Sequence, residues 1–408
     1  MYRRVVVTGI GLLTPVGNSV DEFFPAILNG RSGIKTITRF DTSRARTKIA
    51  GMVESFRIDN LLTERAAARL DRAVQFALLT ADNALKDACL LFDGNVVDAN
   101  NIGVAIGTGA GNLNTVEQSF RTFFKEDKTD VYTISASMHH AAAANISIRY
   151  GLKGFNVTLS TACSAGAAAI GIAFNEIRHG NITCMLAGGV EAPITKCHLD
   201  NWGAMRLLST ESEYPNRAMK PFSKNRNGFV LGEGAALIIL ERLDSALARG
   251  AKIYGEIVGF GSTSDGAHIT NPSIEGQSMA IEKALQCANL RPDEINYINA
   301  HGTATILNDK VETQAIKRIF LDHPVPVSSI KPITGHMLAA SGAAEAIATI
   351  LAVREGVIPP TINYEQQDPD CDLDYVVDGP RNTKLNTAMS TSFGFGGNNA
   401  VLIFRRWN

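Results

Sequence analysis

Two segments of this chain are apolar on most of their helical faces, and nothing else in the sequence restricts the fold as strongly. Residues 165–177 and 337–353 are rich in Ala, Gly, Ile and Leu, and Gly180 and Gly356 stand as C-terminal stops. A helix that is apolar all round has to be buried. No apolar run in the chain is long enough to span a bilayer. Both helices must therefore lie inside a layered molecule. Cys163 and His336, at their leading ends, are then carried to its centre rather than its rim.

The flanking pattern supplies the layers. Residues 5–8, 102–106, 157–160, 185–187 and 235–241 read as strands, and 70–90 as an amphipathic helix. After the turn Arg249-Gly-Ala-Lys252 the style repeats: strand 253–259, helix 277–288, strands 295–299 and 325–330, helix 337–354 and a closing strand 401–404. Strands alternating with helices predict an α/β protein. At 408 residues the chain is too long for one simple core. Two similar halves are expected, 1–250 and 251–408, packed as one body without a linker.

Composition narrows the partners. Lys plus Arg (39) nearly balances Asp plus Glu (40), so bulk charge favours neither nucleic acid nor membrane. The 6 cysteines form no C-x-x-C pair and no metal-ligand spacing. That predicts a reducing, cytoplasmic setting and no metal site. The opening Met1-Tyr-Arg-Arg-Val-Val-Val runs straight into a strand, so no signal peptide is expected.

Cys163 is the leading candidate for chemistry. It stands where the β-branched run Asn156-Val-Thr-Leu gives way to the small residues of a helix. Free N–H groups and the positive end of the helix dipole predict a stabilised thiolate and a cradle for an oxyanion. Read singly, the cysteine could equally be a small buried hydrophobe. The second half offers partners. His301 follows a strand in Asn299-Ala-His301-Gly-Thr303, and His336 stands at the start of the second apolar helix. Each alone is more often a structural hydrogen-bonder than a catalyst. Glu345 falls inside that apolar helix, where a lone carboxylate is costly, and Lys331 is its natural partner. Near the end, Ser392-Phe393-Gly-Phe395-Gly-Gly predicts a tight, mobile turn that presents N–H groups and an aromatic ring.

Taken in order, these motifs resemble the 3-oxoacyl-[acyl-carrier-protein] synthase II-like family of condensing enzymes. The likeness runs over essentially the whole chain. It includes Ser160-Thr-Ala-Cys163-Ser, Asn227-Gly-Phe-Val-Leu-Gly-Glu-Gly234, Lys331 with Thr334-Gly-His336, and Pro359-Pro-Thr-Ile-Asn363. The resemblance implies a thiolase fold, two βαβαβαββ halves in an α-β-α-β-α sandwich, and a dimer. It implies that Cys163 takes an acyl chain as a thioester, with the N–H groups of Cys163 and Phe393 as oxyanion hole and Phe393 as gate. His301 and His336 would stabilise the enolate formed when a malonyl thioester loses CO2, and Lys331 and Glu345 would organise the site. Thr303 and Thr305 would meet the phosphopantetheine arm, with Phe395 and Ala110 also at the substrate. No cofactor is implied, since that arm belongs to the acyl carrier protein. Arg65, Arg69, Lys128 and Arg206 match its docking positions, where Ala68 departs from a commonly basic residue.

Other departures point to a non-standard acyl substrate. They are Thr303-Ala-Thr-Ile306, Lys220-Pro-Phe-Ser223, Asn227, Ala110 and Met138-His-His140. The alternative is the ketosynthase subunit of a type II polyketide synthase, paired with a chain-length-factor-like homologue rather than with itself. That factor lacks the active cysteine, which Cys163 argues against for this chain. A thiolase usually carries a second catalytic cysteine where Phe393 and Phe395 stand. A dinucleotide-binding reading of Thr8-Gly9-Ile-Gly11 fails at Thr14, where the fingerprint needs a third glycine.

Overall fold

The structure is a computed structural model that describes residues 2–90, 98–321 and 323–407. Ten strands form one sheet. In chain order they are β1 (Val5–Leu13), β2 (Ile102–Gly107), β3 (Asn156–Leu159), β4 (Cys184–Glu191), β5 (Gly234–Arg242), β6 (Gly255–Ser264), β7 (Ile298–Asn299), β8 (Val327–Ser328), β9 (Thr387–Gly394) and β10 (Asn398–Arg405). The helices used below are α1 (Arg72–Asp87), α2 (Leu113–Glu126), α3 (Ala165–His179), α4 (Lys196–Ala204), α5 (Ile274–Ala288), α6 (Ile306–Phe320) and α7 (Ala339–Glu355).

The strand order is β8-β7-β9-β10-β6-β1-β5-β4-β2-β3. Read outward from the centre, β1-β5-β4-β2-β3 repeats as β6-β10-β9-β7-β8. The pairing senses repeat too, antiparallel for the inner two pairs and parallel for the outer two. The molecule is therefore duplicated in the thiolase manner. The halves are not separate sheets, however: Val5–Val7 of β1 pair antiparallel with Gly255–Ile257 of β6 and make the sheet continuous.

In this duplication α3 and α7 are equivalents, each entering the last two strands of its half. Their apolar sides meet residues of both halves in one core, including Val5, Met185, Ile238, Leu402 and Phe404. All of α7 from Ala339 to Val353 is buried. The small residues have a packing reason. A Cβ on Gly166 or Gly189 would fall 2.2 or 2.3 Å from the Ala339 carbonyl oxygen, so the starts of the two central helices touch backbone to backbone. The outer helix α1 covers the other face of the first half. Gly9 and Gly11, candidates for a nucleotide-binding turn, instead lie inside β1. There a Cβ would sit 2.4 Å from the Ala84 oxygen and 2.0 Å from the Thr80 oxygen of α1.

The second apolar helix starts later than the sequence predicts. Leu338 has a φ of +47° and breaks the chain direction. His336 therefore lies in an extended turn ahead of α7, with its N–H donating to the Val230 oxygen at 2.7 Å. Among the described residues no helix is long and apolar enough to cross a membrane.

Candidate active site

A pocket of about 570 Å³ opens between the halves, lined by Cys163, Thr303, Thr305, His301, His336, Phe393 and Phe395 among others. The duplication explains why these residues converge. Cys163 ends the turn after β3, and His336 ends the equivalent turn after β8. His301 follows β7, and the two phenylalanines sit at the end of β9.

Cys163 lies in a 3-10 turn, Ala162–Ser164, immediately ahead of α3. Ala162 takes a φ of +52°, which aims the turn into the pocket. The expected thiolate is not the resting state. Burial pushes the thiol up to about 12, and Glu191 adds to that, while Lys331 opposes it. Desolvation outweighs what the helix start can return. A direct check follows. Alkylation of Cys163 by iodoacetamide should accelerate about tenfold per pH unit between about pH 7 and pH 10. A plateau near neutrality, read on the Cys163 peptide by mass, would mean a resting thiolate.

The backbone N–H groups of Phe395 and of Cys163 itself face the sulfur and pull the thiol down, against the larger effect of burial. The N–H turned to the thiol is thus that of Phe395, two residues beyond the Phe393 expected as second oxyanion donor. The Phe393 side chain is buried in the second-half core, with its ring 6.0 Å from His301. Phe395 comes after the chain leaves β9, between Gly394 and Gly396, and its half-buried ring stands in the pocket. Phe395 therefore brings both a backbone N–H and an aromatic ring to the thiol.

The imidazoles of His301 and His336 stand edge-to-face, 5.4 Å between centroids. Burial and the Lys331 charge hold both well below the ordinary imidazole range, so both are neutral. Their neighbours engage one nitrogen of each. Lys331 Nζ lies 3.2 Å from His301 Nδ1, and an ammonium can only donate, so the His301 proton is on Nε2. Ser341 Oγ accepts the Met337 N–H at 2.8 Å and lies 3.2 Å from His336 Nδ1, which it engages and so leaves Nε2 to face the pocket. Each ring then keeps one N–H to donate. Lys331 Nζ is fully buried and also donates to Glu345 Oε1 and to the His301 carbonyl, each at 2.5 Å. Burial raises the Glu345 carboxyl, and Lys331 opposes that.

Two carboxylates escaped the sequence reading. Glu312 accepts the His301 N–H at 2.7 Å, the Gly302 N–H at 2.8 Å and the Thr391 hydroxyl at 2.8 Å, and so fixes the His301 backbone. Glu191 accepts from Gly109, Ala110, Thr108 and Ala339, tying the loop after β2 to the start of α7. Burial raises it to about 7. Both had a signal. Glu312 sits on the buried face of α6, and Glu191 ends the apolar run of β4.

The remaining candidates divide. Thr303 and Thr305 share a hydroxyl–hydroxyl bond of 2.9 Å on the pocket wall. Arg206 stands at the pocket, whereas Arg65, Arg69 and Lys128 do not line it. Arg69 lies 4.4 Å over the Tyr132 ring, and Lys128 pairs with Glu126 at 2.9 Å. Ala110 is also off the pocket wall of the single chain, in the loop held by Glu191.

Comparison with known proteins agrees with this geometry. Residues 2–246 match the N-terminal domain of β-ketoacyl synthases and residues 254–365 the C-terminal domain. The 3-oxoacyl-[acyl-carrier-protein] synthase 2 of Synechocystis sp. is 43% identical over 411 residues, covering 99% of this chain and 98% of that protein. The protein of the same description from Coxiella burnetii is 42% identical over 410 residues, covering 99% of each. Among solved structures, the ishigamide ketosynthase/chain length factor superposes with a TM-score of 0.94 at 32% identity, covering 100% of both chains. A type II ketosynthase solved with its acyl-carrier protein superposes with a TM-score of 0.92 at 35% identity, again covering 100% of both. Fold and site together are those of a condensing acyltransferase. The chain belongs to the β-ketoacyl synthase family.

Proposed function

We propose that this enzyme extends an acyl chain held on Cys163 by two carbons taken from malonyl-acyl carrier protein. One observation carries this reading: a lone buried thiol beside two N–H donors shares its pocket with two neutral imidazoles that can only donate toward it. In the first half-reaction the sulfur attacks the carrier's thioester. Negative charge gathers on the carbonyl oxygen, at the Cys163 and Phe395 N–H groups. The proton that Cys163 loses is the one the departing carrier thiolate takes up, so no resting thiolate is required. In the second, malonyl thioester loses CO2. The Nε2–H groups of His301 and His336 hold the enolate oxygen. The enolate carbon attacks the Cys163 thioester, the C–S bond breaks, and the freed thiolate takes a proton from water. The products are CO2 and a 3-oxoacyl thioester.

The acyl carrier protein is the proposed partner, with Arg206 at the mouth as the first of its contacts. Support comes from the solved ketosynthase that holds its carrier. A homodimer is the proposed assembly. β3 is an edge strand, and Val131, Ile134, Ile148 and Phe155 are exposed on the segments around it. The alternative, a polyketide ketosynthase paired with a cysteine-lacking homologue, draws on the likeness to the ketosynthase/chain length factor. Purification alone as a condensing homodimer favours the first; an inactive lone chain rescued by a co-expressed homologue favours the second. The mass of the acyl group trapped on Cys163 from a panel of carrier thioesters tests the reaction and reads its chain length.

Ala110 bears on that length. Its loop packs against the Cys163 turn, since a Cβ on Gly109 would lie 3.5 Å from the Ala162 oxygen. Ala110→Ile should shorten the longest chain accepted. An unchanged profile would remove Ala110 from the acyl path.

A further inference from the structure

The proposed reaction leaves the aromatic wall of the pocket beside Phe395 unused. Trp202 lies on α4, half-buried, and its ring lines the same pocket as Cys163 and Phe395. Its indole N–H donates to Nε2 of His198, one turn earlier on the helix, at 2.7 Å. Residues four apart share a helix face, so the pair is built into α4. The indole has a single polar atom, and this bond satisfies it. Phe229 meets the ring edge-on at 5.4 Å. The ring then packs, tilted by 37°, on Phe395 with centroids 5.7 Å apart.

Trp202 is thus fixed by a hydrogen bond on one side and by an aromatic contact on another. The Phe395 backbone is held as well, by a bond from Asn398 Nδ2 to its carbonyl at 3.2 Å and by the Gly396 N–H donating to the Ile269 oxygen at 2.7 Å, so it is the half-buried ring that has room to turn. The Phe395 N–H also faces the Cys163 sulfur. Any movement of the Phe395 ring therefore changes the space next to the thioester carbonyl, and Trp202 limits that movement. His198 keeps its role throughout the neutral range. Burial holds it down to about 4, against the opposing charge of Glu117 on α2, so Nε2 stays an acceptor.

We propose that the His198–Trp202 pair is a fixed stop for the Phe395 ring, and that it selects acyl groups that are slim next to the carbonyl over those branched there. Trp202 touches the pocket and is a specificity residue. His198 acts through it and is a positioning residue. The inference rests on the condensing reading, because it concerns the acyl group delivered to Cys163.

The test compares His198→Leu, which removes the acceptor, with His198→Gln, whose amide oxygen can accept the same N–H. Acylation of Cys163 is followed by intact mass with two carrier thioesters of equal carbon number, one straight and one branched next to the carbonyl. In His198→Leu the preference for the straight chain should fall about threefold to tenfold, the range for one lost hydrogen bond. His198→Gln should restore it. A merely structural pair would lower the melting temperature of His198→Leu and leave the preference unchanged, and that result overturns the proposal. A second readout uses the 2 tryptophans of the chain. In a Trp407→Phe background only Trp202 emits, and its emission should change when Cys163 is acylated but not in Cys163→Ala. A silent Trp202 on an acylated enzyme would equally overturn the stop. Failure of the native enzyme to acylate at all would instead remove the condensing reading and this inference with it.

Discussion

Cys163→Ala should abolish both acyl transfer to the enzyme and condensation, while replacement of any other cysteine leaves both intact. The reason is position. Cys184 and Cys371 are buried in the outer cores, and the Cys287 sulfur is bonded by Arg178 at 2.6 Å. Cys89 and Cys197 are exposed but lie off the pocket. Only Cys163 faces the pocket with two N–H groups around its sulfur. Cys163→Gln should separate the two half-reactions. Its amide oxygen can take the place of an acyl carbonyl at the Cys163 and Phe395 N–H groups. Malonyl decarboxylation should then persist while condensation stops. Condensation surviving in Cys163→Ala, with an acyl adduct found on another cysteine, would sink the assignment.

His301→Ala and His336→Ala should each slow decarboxylation by about 100- to 1,000-fold, the cost of one oriented donor at about 2.7–4 kcal/mol. Some acyl transfer to Cys163 should remain, since the oxyanion donors there are backbone groups. The split follows from the geometry. Both rings are neutral, and both have their Nδ1 engaged, by Lys331 and by Ser341. Neither is left as a base toward the thiol. Rates of CO2 release and of Cys163 acylation, measured separately on each variant, check this. Variants that lose acylation but keep decarboxylation would reverse the roles.

Much of this was legible in the sequence because the strongest signals were burial signals. Two helices apolar all round can only be central, and the repeat of strand and helix around each marked the duplication. The join between β1 and β6 was not legible, since it pairs residues about 250 apart and leaves no local trace. The displacement of His336 from α7 was hidden for a different reason: it depends on a positive φ at Leu338, a residue with no such preference. That Phe395 rather than Phe393 turns its N–H to the thiol depends on where β9 ends, and strand ends are the least readable part of a pattern. The thiol's protonation depended on how deeply Cys163 is desolvated, which spacing cannot give. Lys331 with Glu345 was readable because a lone carboxylate in an apolar helix demands a cation. Glu312 and Glu191 announce themselves only by their place on buried faces, because most of their partners are backbone N–H groups, which every sequence has.

The most direct measurement is a single turnover. Cys163 is first loaded with an acyl group of known mass, free carrier is removed, and malonyl-acyl carrier protein is added. Equimolar CO2, a carrier-bound 3-oxoacyl chain two carbons longer than the loaded one, and an unmodified Cys163 are the expected result. Release of the loaded chain as free acid, or an elongated product formed while the acyl group stays on Cys163, would contradict the account.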